Sequence, residues 1–243
     1  MLDFKYFFNE SKTTLQFHNE LNPKIWEKES LKPEIAKQLL KIAEAWREFA
    51  KIPKNAVKDI LFTGGNANYN YTKYSDIDLH LLVDKKEIAE CDKDILDDFL
   101  KDKKSLWSLS HDIKIYGVPV ELYAQDLNEP TSSDQGVYSL NLDKWIRKPQ
   151  KTCVRLKDTY LINKINHMKN QIDNFVDSKS EDVQKMNNFK EKIRKTRTAA
   201  VQKGGEFSLE NLAFKELRNL GYIDKLADYI KKAEDKKLSL KNK

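Results

Sequence analysis

Two apolar runs, separated by a polar and tyrosine-rich stretch, set the pattern of the first half of the chain. Residues 57–63 form the first run, which predicts a strand that ends at Gly64-Gly65. Residues 76–83 form the second run, where polar and apolar side chains alternate at its start. Such alternation is the period of a strand that buries one face.

Other segments carry the spacing of helices or of a hairpin. Residues 30–50 predict a helix with Ser30 as its N-cap, and residues 84–104 predict a second one. Residues 111–116 and 118–123 predict two strands that meet at Gly117 as an antiparallel hairpin. After Pro149 the pattern is helical throughout, over residues 156–177, 181–203, 208–219 and 223–234. We therefore expect an α+β protein with one domain over residues 1–150, including an N-terminal helical segment, and an all-helical domain over residues 151–243.

Composition excludes several classes of protein. Of 243 residues, 40% are hydrophobic and 34% charged, and no apolar run approaches the roughly 20 residues that span a bilayer. Residues 1–10 lack the apolar stretch of a signal peptide, because Asp3 and Lys5 interrupt their aromatic side chains. Cys91 and Cys153 lie far apart without a CxxC spacing, which favours free thiols in a reducing cytoplasm over a disulfide framework or zinc site.

The net charge of +6 is unevenly distributed along the chain. Residues 151–243 contain 22 Lys and Arg against 13 Asp and Glu, whereas residues 1–150 contain 22 against 25. A basic second half is typical of a domain that contacts phosphates, and RNA or another nucleic acid is then an expected partner. Solvated helix faces explain the same composition equally well.

Asp76 and Asp78 form the most informative pair of charged residues. On a strand, residues two apart point to the same face, so both carboxylates project together while Ile77 points into a core. Two like charges at this distance repel, and a divalent cation compensates them. Mg²⁺ prefers carboxylate oxygens and accepts substrate phosphates as further ligands, and Mn²⁺ is the alternative. His80 shares this face, either as a ligand or general base or as a residue that orients a neighbour.

A third carboxylate is needed for two metal ions. Glu121 is the preferred candidate because it lies between apolar neighbours on a predicted strand, where a charged side chain usually has a partner or a function. Asp112, at the start of the preceding strand, is the competing candidate.

Gly64 and Gly65 supply a turn in which backbone amides can approach an anion closely, because no Cβ intervenes. A Gly-Gly pair alone is weak evidence. Followed by Asp-x-Asp on the next strand, it predicts a nucleoside-triphosphate and metal site, with Asn66 as a further contact of the turn.

Residues 64–79, GGNANYNYTKYSDIDL, resemble the signature of the DNA polymerase β-like nucleotidyltransferase superfamily in its minimal form. Less specifically, the chain also resembles nucleotidyltransferase-like proteins of large tailed phages. The resemblance implies a small mixed sheet flanked by helices, a metal-binding triad, and a helical region that closes over the nucleotide. The sequence departs from the pattern at Gly65, where many members have Ser, and at Tyr69, where many minimal members have Gly.

Members of this superfamily usually hold the triphosphate with a basic residue from the helical region. Lys190, Arg194 and Arg197 share a helix face at spacings of four and three residues, which makes them candidates for that contact. A solvated helix face is the alternative for each of them.

The leading hypothesis is transfer of a nucleoside monophosphate from an NTP to a hydroxyl of RNA, protein or a small molecule, with release of pyrophosphate. Asp76 and Asp78 would hold the metal that binds the triphosphate, and with Glu121 a second metal that activates the acceptor. The alternatives are synthesis of a nucleotide second messenger and a catalytically silent member that binds nucleic acid or protein. The sequence indicates no oligomeric state.

Overall fold

The computed structural model describes residues 13–90, 92–129, 134–151 and 158–240. Cys91 and Cys153, and the N-terminal residues 1–10, lie outside the described residues, so the expectations that concern them are untested. The chain divides into two compact units, Phe17–Thr152 and Met1–Gln16 with Cys153–Lys243.

The first unit is built on a mixed β-sheet. Its strands are β3 (Val57–Thr63), β4 (Ile77–Val83), β5 (Lys114–Ile115), β6 (Val118–Asp126), β7 (Val137–Ser139) and β8 (Lys144–Arg147). They lie in the order β5-β6-β4-β3-β7-β8, and β4 and β6 are parallel whereas the other neighbours are antiparallel. A separate two-stranded ribbon consists of β1 (Trp26–Glu27) and β2 (Ser30–Leu31). The predicted α+β class with a small mixed sheet is confirmed.

The strands that flank the glycine turn follow the sequence prediction closely. β3 has the predicted bounds, and β4 begins one residue later than predicted. β5 and β6 form the predicted antiparallel hairpin around Gly117, but β5 covers only Lys114–Ile115 of the predicted 111–116, and β6 extends beyond residue 123 to Asp126. β7 and β8 were not predicted. They have three and four residues, which is too short for the period of a strand to show in the sequence.

The described part of the first unit also contains two α-helices, α1 (Pro33–Phe49) and α2 (Lys93–Ser110). Alternate residues of β4 are buried in one hydrophobic core with the apolar face of α1, which consists of Ile35, Leu39, Ile42, Ala43 and Trp46. The sheet face that carries Asp78 is thereby turned away from this core.

The predicted starts of both helices are wrong. Ser30 lies in β2, and α1 begins at Pro33, whose fixed φ and missing N–H suit the first helical position. The second helix begins at Lys93 and not at Asp84, which caps only a short 3₁₀ turn. Asp92 is the N-cap of this helix, and its side chain accepts a hydrogen bond from the backbone N–H of Asp94.

The second unit is helical in its described part, as predicted. Its helices are α3 (Thr159–Asp177), α4 (Val183–Gly204), α5 (Leu209–Asn219) and α6 (Tyr222–Leu238). The short segment 13–16 belongs to this unit, because Leu15 packs with Leu161 and Leu217 and Thr14 is hydrogen-bonded to Glu216. No helix in the described ranges is long and apolar enough to span a membrane.

Candidate functional site

Three carboxylates meet at the amino-terminal ends of two parallel strands. Asp76 immediately precedes β4, Asp78 lies within it, and Glu121 on β6 is the register partner of Asp78. Partners in adjacent strands point to the same side of a sheet. Each of the three residues offers an oxygen, and these oxygens all lie within 4.8 Å of one another.

Glu121 therefore lies where the third carboxylate was expected, and the competing candidate does not. Asp112 is not part of this acidic group, and its carboxylate instead accepts a hydrogen bond from Lys114 Nζ at 2.7 Å. The three carboxylates of the group supply hard oxygen donors, which is the donor set that Mg²⁺ and Mn²⁺ prefer.

Gly64 packs directly against one of these carboxylates. A Cβ built on Gly64 would lie 1.6 Å from Asp78 Oδ2, and its φ of +77° is in the region that favours glycine. Because β3 pairs with β4 antiparallel, the residue that follows β3 is brought beside Asp78. The glycine of the motif is thus required both by the backbone conformation and by the space that Asp78 occupies.

Asn66 joins the glycine turn to the strand that carries the aspartates. Its side chain is only 1% exposed, donates to the backbone oxygen of Asp76 at 2.8 Å, and accepts from Asn22 Nδ2 at 2.8 Å. Its backbone oxygen accepts a hydrogen bond from Trp26 Nε1 at 2.7 Å. The Asn66 side chain is buried and bonded to the protein through both of its polar atoms, so it supports the turn, and a contact with a triphosphate would fall to its backbone N–H.

Asn68 fixes the turn from its other side. Its side chain donates to Gly64 O at 2.7 Å and accepts from Gly136 N at 2.9 Å. Thr63 Oγ1 donates to Gly136 O at 3.1 Å. These buried bonds tie both ends of the turn to the loop before β7, so the backbone of the turn is held before any ligand arrives.

A lysine lies beside the acidic group. Lys104 Nζ on α2 donates to Glu121 Oε2 at 3.1 Å, and the lysine side chain is about one-third exposed. The same ammonium lies 6.0 Å from the centre of the Tyr123 ring. Lys104 thus brings positive charge to the edge of a site in which three carboxylates converge.

His80 lies on the same face of β4 as Asp78 but is not part of the acidic group. The side-chain amide of Gln125 donates a hydrogen bond through Nε2 to Glu129 O, so its Oε1 faces His80 Nδ1 at 2.9 Å. Because Oε1 can only accept, His80 Nδ1 is the donor of this hydrogen bond. Burial lowers the pKa of His80, and the Lys104 charge acts in the same direction. The hydrogen bond with Gln125 is a contact through which His80 can orient a neighbour, which is one of the roles that the sequence left open.

The tyrosines after the glycine turn differ in their surroundings. The Tyr71 ring stacks on His18 at 3.8 Å, and the Lys151 ammonium lies 5.0 Å from the centre of the Tyr69 ring. Tyr74 is exposed. Tyr69 and Tyr71 thus pack within the loop that follows the glycine turn.

The basic residues predicted to contact phosphate lie on α4 in the second unit. Lys190 and Arg194 are exposed, and Arg194 is paired with Glu191 at 2.8 Å. Arg197 is turned toward α5, where its Nε donates to Asn211 Oδ1 at 2.9 Å and its guanidinium lies 4.4 Å from the centre of the Phe214 ring. Burial lowers the pKa of Arg197, so this residue has a different environment from the two others.

Comparisons with known proteins add little to this geometry. No protein-family model and no curated protein matches the chain. A solved structure of a STING-associated CdnE c-di-GMP synthase from Capnocytophaga granulosa aligns over 85% of this chain and 83% of its own, at 12% identity and a TM-score of 0.23. A likeness at this TM-score supports no conclusion about fold or activity.

Proposed function

We propose that this protein is a metal-dependent nucleotidyltransferase whose metal ligands are Asp76, Asp78 and Glu121. The observation that supports the proposal best is the convergence of these carboxylates within 4.8 Å, against a glycine that leaves no room for a side chain. Residues 1–150 would carry this activity, and residues 151–243 would form the basic helical domain.

Each part of the site has a separate task in this proposal. Divalent cations held by the carboxylates would bind the triphosphate and favour attack of an acceptor hydroxyl on the α-phosphorus, with pyrophosphate as the leaving group. Asp76 and Asp78 would hold the cation that binds the triphosphate, and together with Glu121 they would hold a second cation that activates the acceptor hydroxyl. Catalysis would consist mainly of positioning and charge neutralisation.

The glycine turn would contact the triphosphate through its backbone. Gly65–Ala67 form a 3₁₀ turn, and the hydrogen bonds within this turn use the N–H groups of Ala67 and Asn68. The N–H groups of Gly65 and Asn66 come earlier in the turn, at the end where backbone donors point outward. Contact of Lys190, Arg194 and Arg197 with phosphate stays a prediction from the sequence. The proposed acceptor is a hydroxyl of RNA, protein or a small molecule.

Binding is the first test. ATP with Mg²⁺ or Mn²⁺ is expected to raise the melting temperature of the wild type, and the double variant Asp76→Asn/Asp78→Asn is expected to lose this metal-dependent rise. Asp112→Asn is the matched control, because its exposed carboxylate lies outside the acidic group. Equal metal-dependent stabilisation of the double variant and the wild type would contradict the proposed site.

Turnover is the second test. The protein is incubated with each α-labelled NTP, total RNA and cell extract, and the labelled product is identified. Label in a macromolecule or small molecule, with matching pyrophosphate release, would support transfer and would identify the acceptor. Label in an oligonucleotide without any added acceptor would instead indicate synthesis of a nucleotide messenger.

A further inference from the structure

The helical unit contains a small cavity that one face of α3 and one face of α4 line. Its volume is about 220 Å³. Sites for drug-sized ligands have roughly 300–1,000 Å³, and one water takes roughly 30 Å³. Met168, Phe189 and Ile193 supply the apolar part of the lining. The cavity therefore has room for a small molecule with a short apolar body.

Cations outnumber carboxylates around this cavity. Lys164, Lys192 and Arg197 line it together with one acidic residue, Glu210. Lys164 Nζ is paired with Glu210 at 2.9 Å, so these two charges balance each other. In the part of the chain that the structure describes, neither Lys192 nor Arg197 has a carboxylate at ion-pair distance. The cavity thus keeps an excess of positive charge.

The Arg197 guanidinium is held in place but only partly used. Its Nε donates to Asn211 Oδ1 at 2.9 Å, and the buried Asn211 amide is turned this way because its Nδ2 donates to Glu206 O. Phe214 packs against the guanidinium, with its ring centre 4.4 Å from Cζ. Among the described residues, the two terminal amino groups of Arg197 have no hydrogen-bond partner. Such terminal groups form the planar fork that binds two oxygens of a phosphate.

The burial of this guanidinium has an energetic cost that its protein partners do not offset. Burial lowers the pKa of Arg197. Glu206 acts in the opposite direction, but Glu206 is itself paired with Lys215. A charge that is removed from water needs a counter-ion to replace its lost hydration. A bound anion would supply that counter-ion, whereas an exposed cation such as Lys190 needs none.

We infer that this cavity binds a small organic phosphate, a monoester whose phosphate is held by Lys192 and Arg197 and whose organic part packs on the apolar lining. A phosphate dianion can satisfy two cations at once, and it matches the fork of an arginine. Every lining residue belongs to the helical unit, and none is a member of the acidic group. The inference therefore does not rest on the proposed function, and binding should need no divalent cation.

The charge contacts are tested by calorimetric titration of the full chain in EDTA. Phenyl phosphate is expected to bind more tightly than inorganic phosphate, which lacks the organic part. Lys192→Gln is expected to raise the dissociation constant for phenyl phosphate about tenfold or more, because it removes a hydrogen bond between charged groups. Arg197→Lys keeps the charge but loses the fork, and it should also weaken binding.

Two controls separate this site from other cations and from the acidic group. Lys185→Gln changes an exposed lysine of α4 that does not line the cavity, and it should bind phenyl phosphate as the wild type does. Asp76→Asn/Asp78→Asn should also retain binding, whatever becomes of its response to nucleotide and metal. Failure of this inference is thus distinguishable from failure of the proposed function.

The place of binding is tested by carbon-13 NMR of methionine methyl groups. Met168 lines the cavity, whereas Met186 is fully buried in the core and does not line it. Phenyl phosphate is expected to shift the Met168 signal more than the Met186 signal, and Lys192→Gln should require a higher concentration for the same shift.

Three results would overturn the inference. The first is an unchanged Met168 signal at millimolar phenyl phosphate. The second is equal weakening of binding by Lys185→Gln and Lys192→Gln, which would indicate only a general attraction to positive charge. The third is binding that requires Mg²⁺ and is lost in Asp76→Asn/Asp78→Asn, which would assign these cations to the triphosphate of the NTP.

Discussion

At the scale of single residues, Gly64 is the position that connects the glycine turn to the acidic group. Gly64→Ala is expected to lower the free energy of unfolding and to abolish the rise in melting temperature with Mn²⁺, because the new Cβ would displace the Asp78 carboxylate. The measurements are urea unfolding and Mn²⁺ titration followed by melting temperature.

Gly117→Ala provides the matched control for this prediction. Gly117 has a φ of +81°, close to that of Gly64, but a Cβ there would meet nothing within 4 Å. The control therefore carries only the left-handed backbone cost of about 1–2 kcal/mol and should retain its response to Mn²⁺. Equal effects of the two substitutions would show that contact with Asp78 is unimportant.

The charge of Lys104 yields a second prediction at this scale. Lys104→Gln is expected to lower the dissociation constant for Mn²⁺ about threefold or more, because a partly exposed ion pair with Glu121 amounts to roughly 1 kcal/mol. Isothermal titration calorimetry measures this constant. Lys101→Gln is the control, since Lys101 on the same helix is paired with Asp98. Weaker Mn²⁺ binding by Lys104→Gln than by the control would reverse the expected sign.

Sequence reasoning located the carboxylates but missed the residues that support them. Asp76 and Asp78 are recognisable because the alternation along a strand is local, and Glu121 stands out as a charge among apolar neighbours. Asn22 and Trp26 contact Asn66 across 44 and 40 residues, from a segment in which the sequence predicts no helix or strand. No local pattern encodes such contacts, so the support of the turn could be found only in the folded chain.

At the scale of elements, the first turn of α2 is stabilised by its N-cap residue, Asp92. Asp92→Ala is expected to lower the free energy of unfolding by about 1 kcal/mol, because its carboxylate accepts the Asp94 N–H at 2.8 Å. Urea unfolding measures the loss. Asp94 follows Asp92 by two residues and its side chain is exposed, so Asp94→Ala should lower the free energy of unfolding less than Asp92→Ala does. A larger loss for Asp94→Ala would contradict the assigned cap.

The same region explains why the helix prediction failed where the strand predictions succeeded. Asp84 and Asp92 are both acceptable caps, and the sequence offered no means to rank them. β3 ends at a glycine pair and β5 meets β6 at Gly117, so each of these boundaries has a residue that marks it. The boundaries that these glycines mark were predicted close to their observed positions, whereas β7 and β8 are too short for the period of a strand to show.

At the scale of the whole molecule, the segment 13–16 belongs to the helical unit and not to the sheet unit that follows it in sequence. Thr14 N and Oγ1 both donate to the buried carboxylate of Glu216, and Asn219 Nδ2 donates to Thr14 Oγ1 at 2.8 Å. The helical unit is therefore completed by residues that precede the sheet in sequence, an arrangement that sequence patterns do not reveal.

Thr14→Val tests this arrangement. It is expected to lower the free energy of unfolding by about 1–3 kcal/mol, because it leaves polar atoms of Glu216 and Asn219 without the hydroxyl. Thr198→Val is the control, since the Thr198 hydroxyl is exposed and donates only to a carbonyl of its own helix, Arg194 O. Chemical unfolding measures the free energy of unfolding of both variants. Equal losses for Thr14→Val and Thr198→Val would contradict a contribution of the Thr14 hydroxyl to the stability of the helical unit.

The bond from Trp26 to the glycine turn makes the turn visible to fluorescence. Trp26 Nε1 donates to Asn66 O, and its indole stacks on Trp145 with ring centres 4.7 Å apart. A ligand that shifts the backbone of the turn would alter this hydrogen bond and with it the emission of the indole. Trp46 and Trp107 lie in other parts of the core and would contribute a steady background. The protein thus contains its own optical reporter of events at the turn, without any added label.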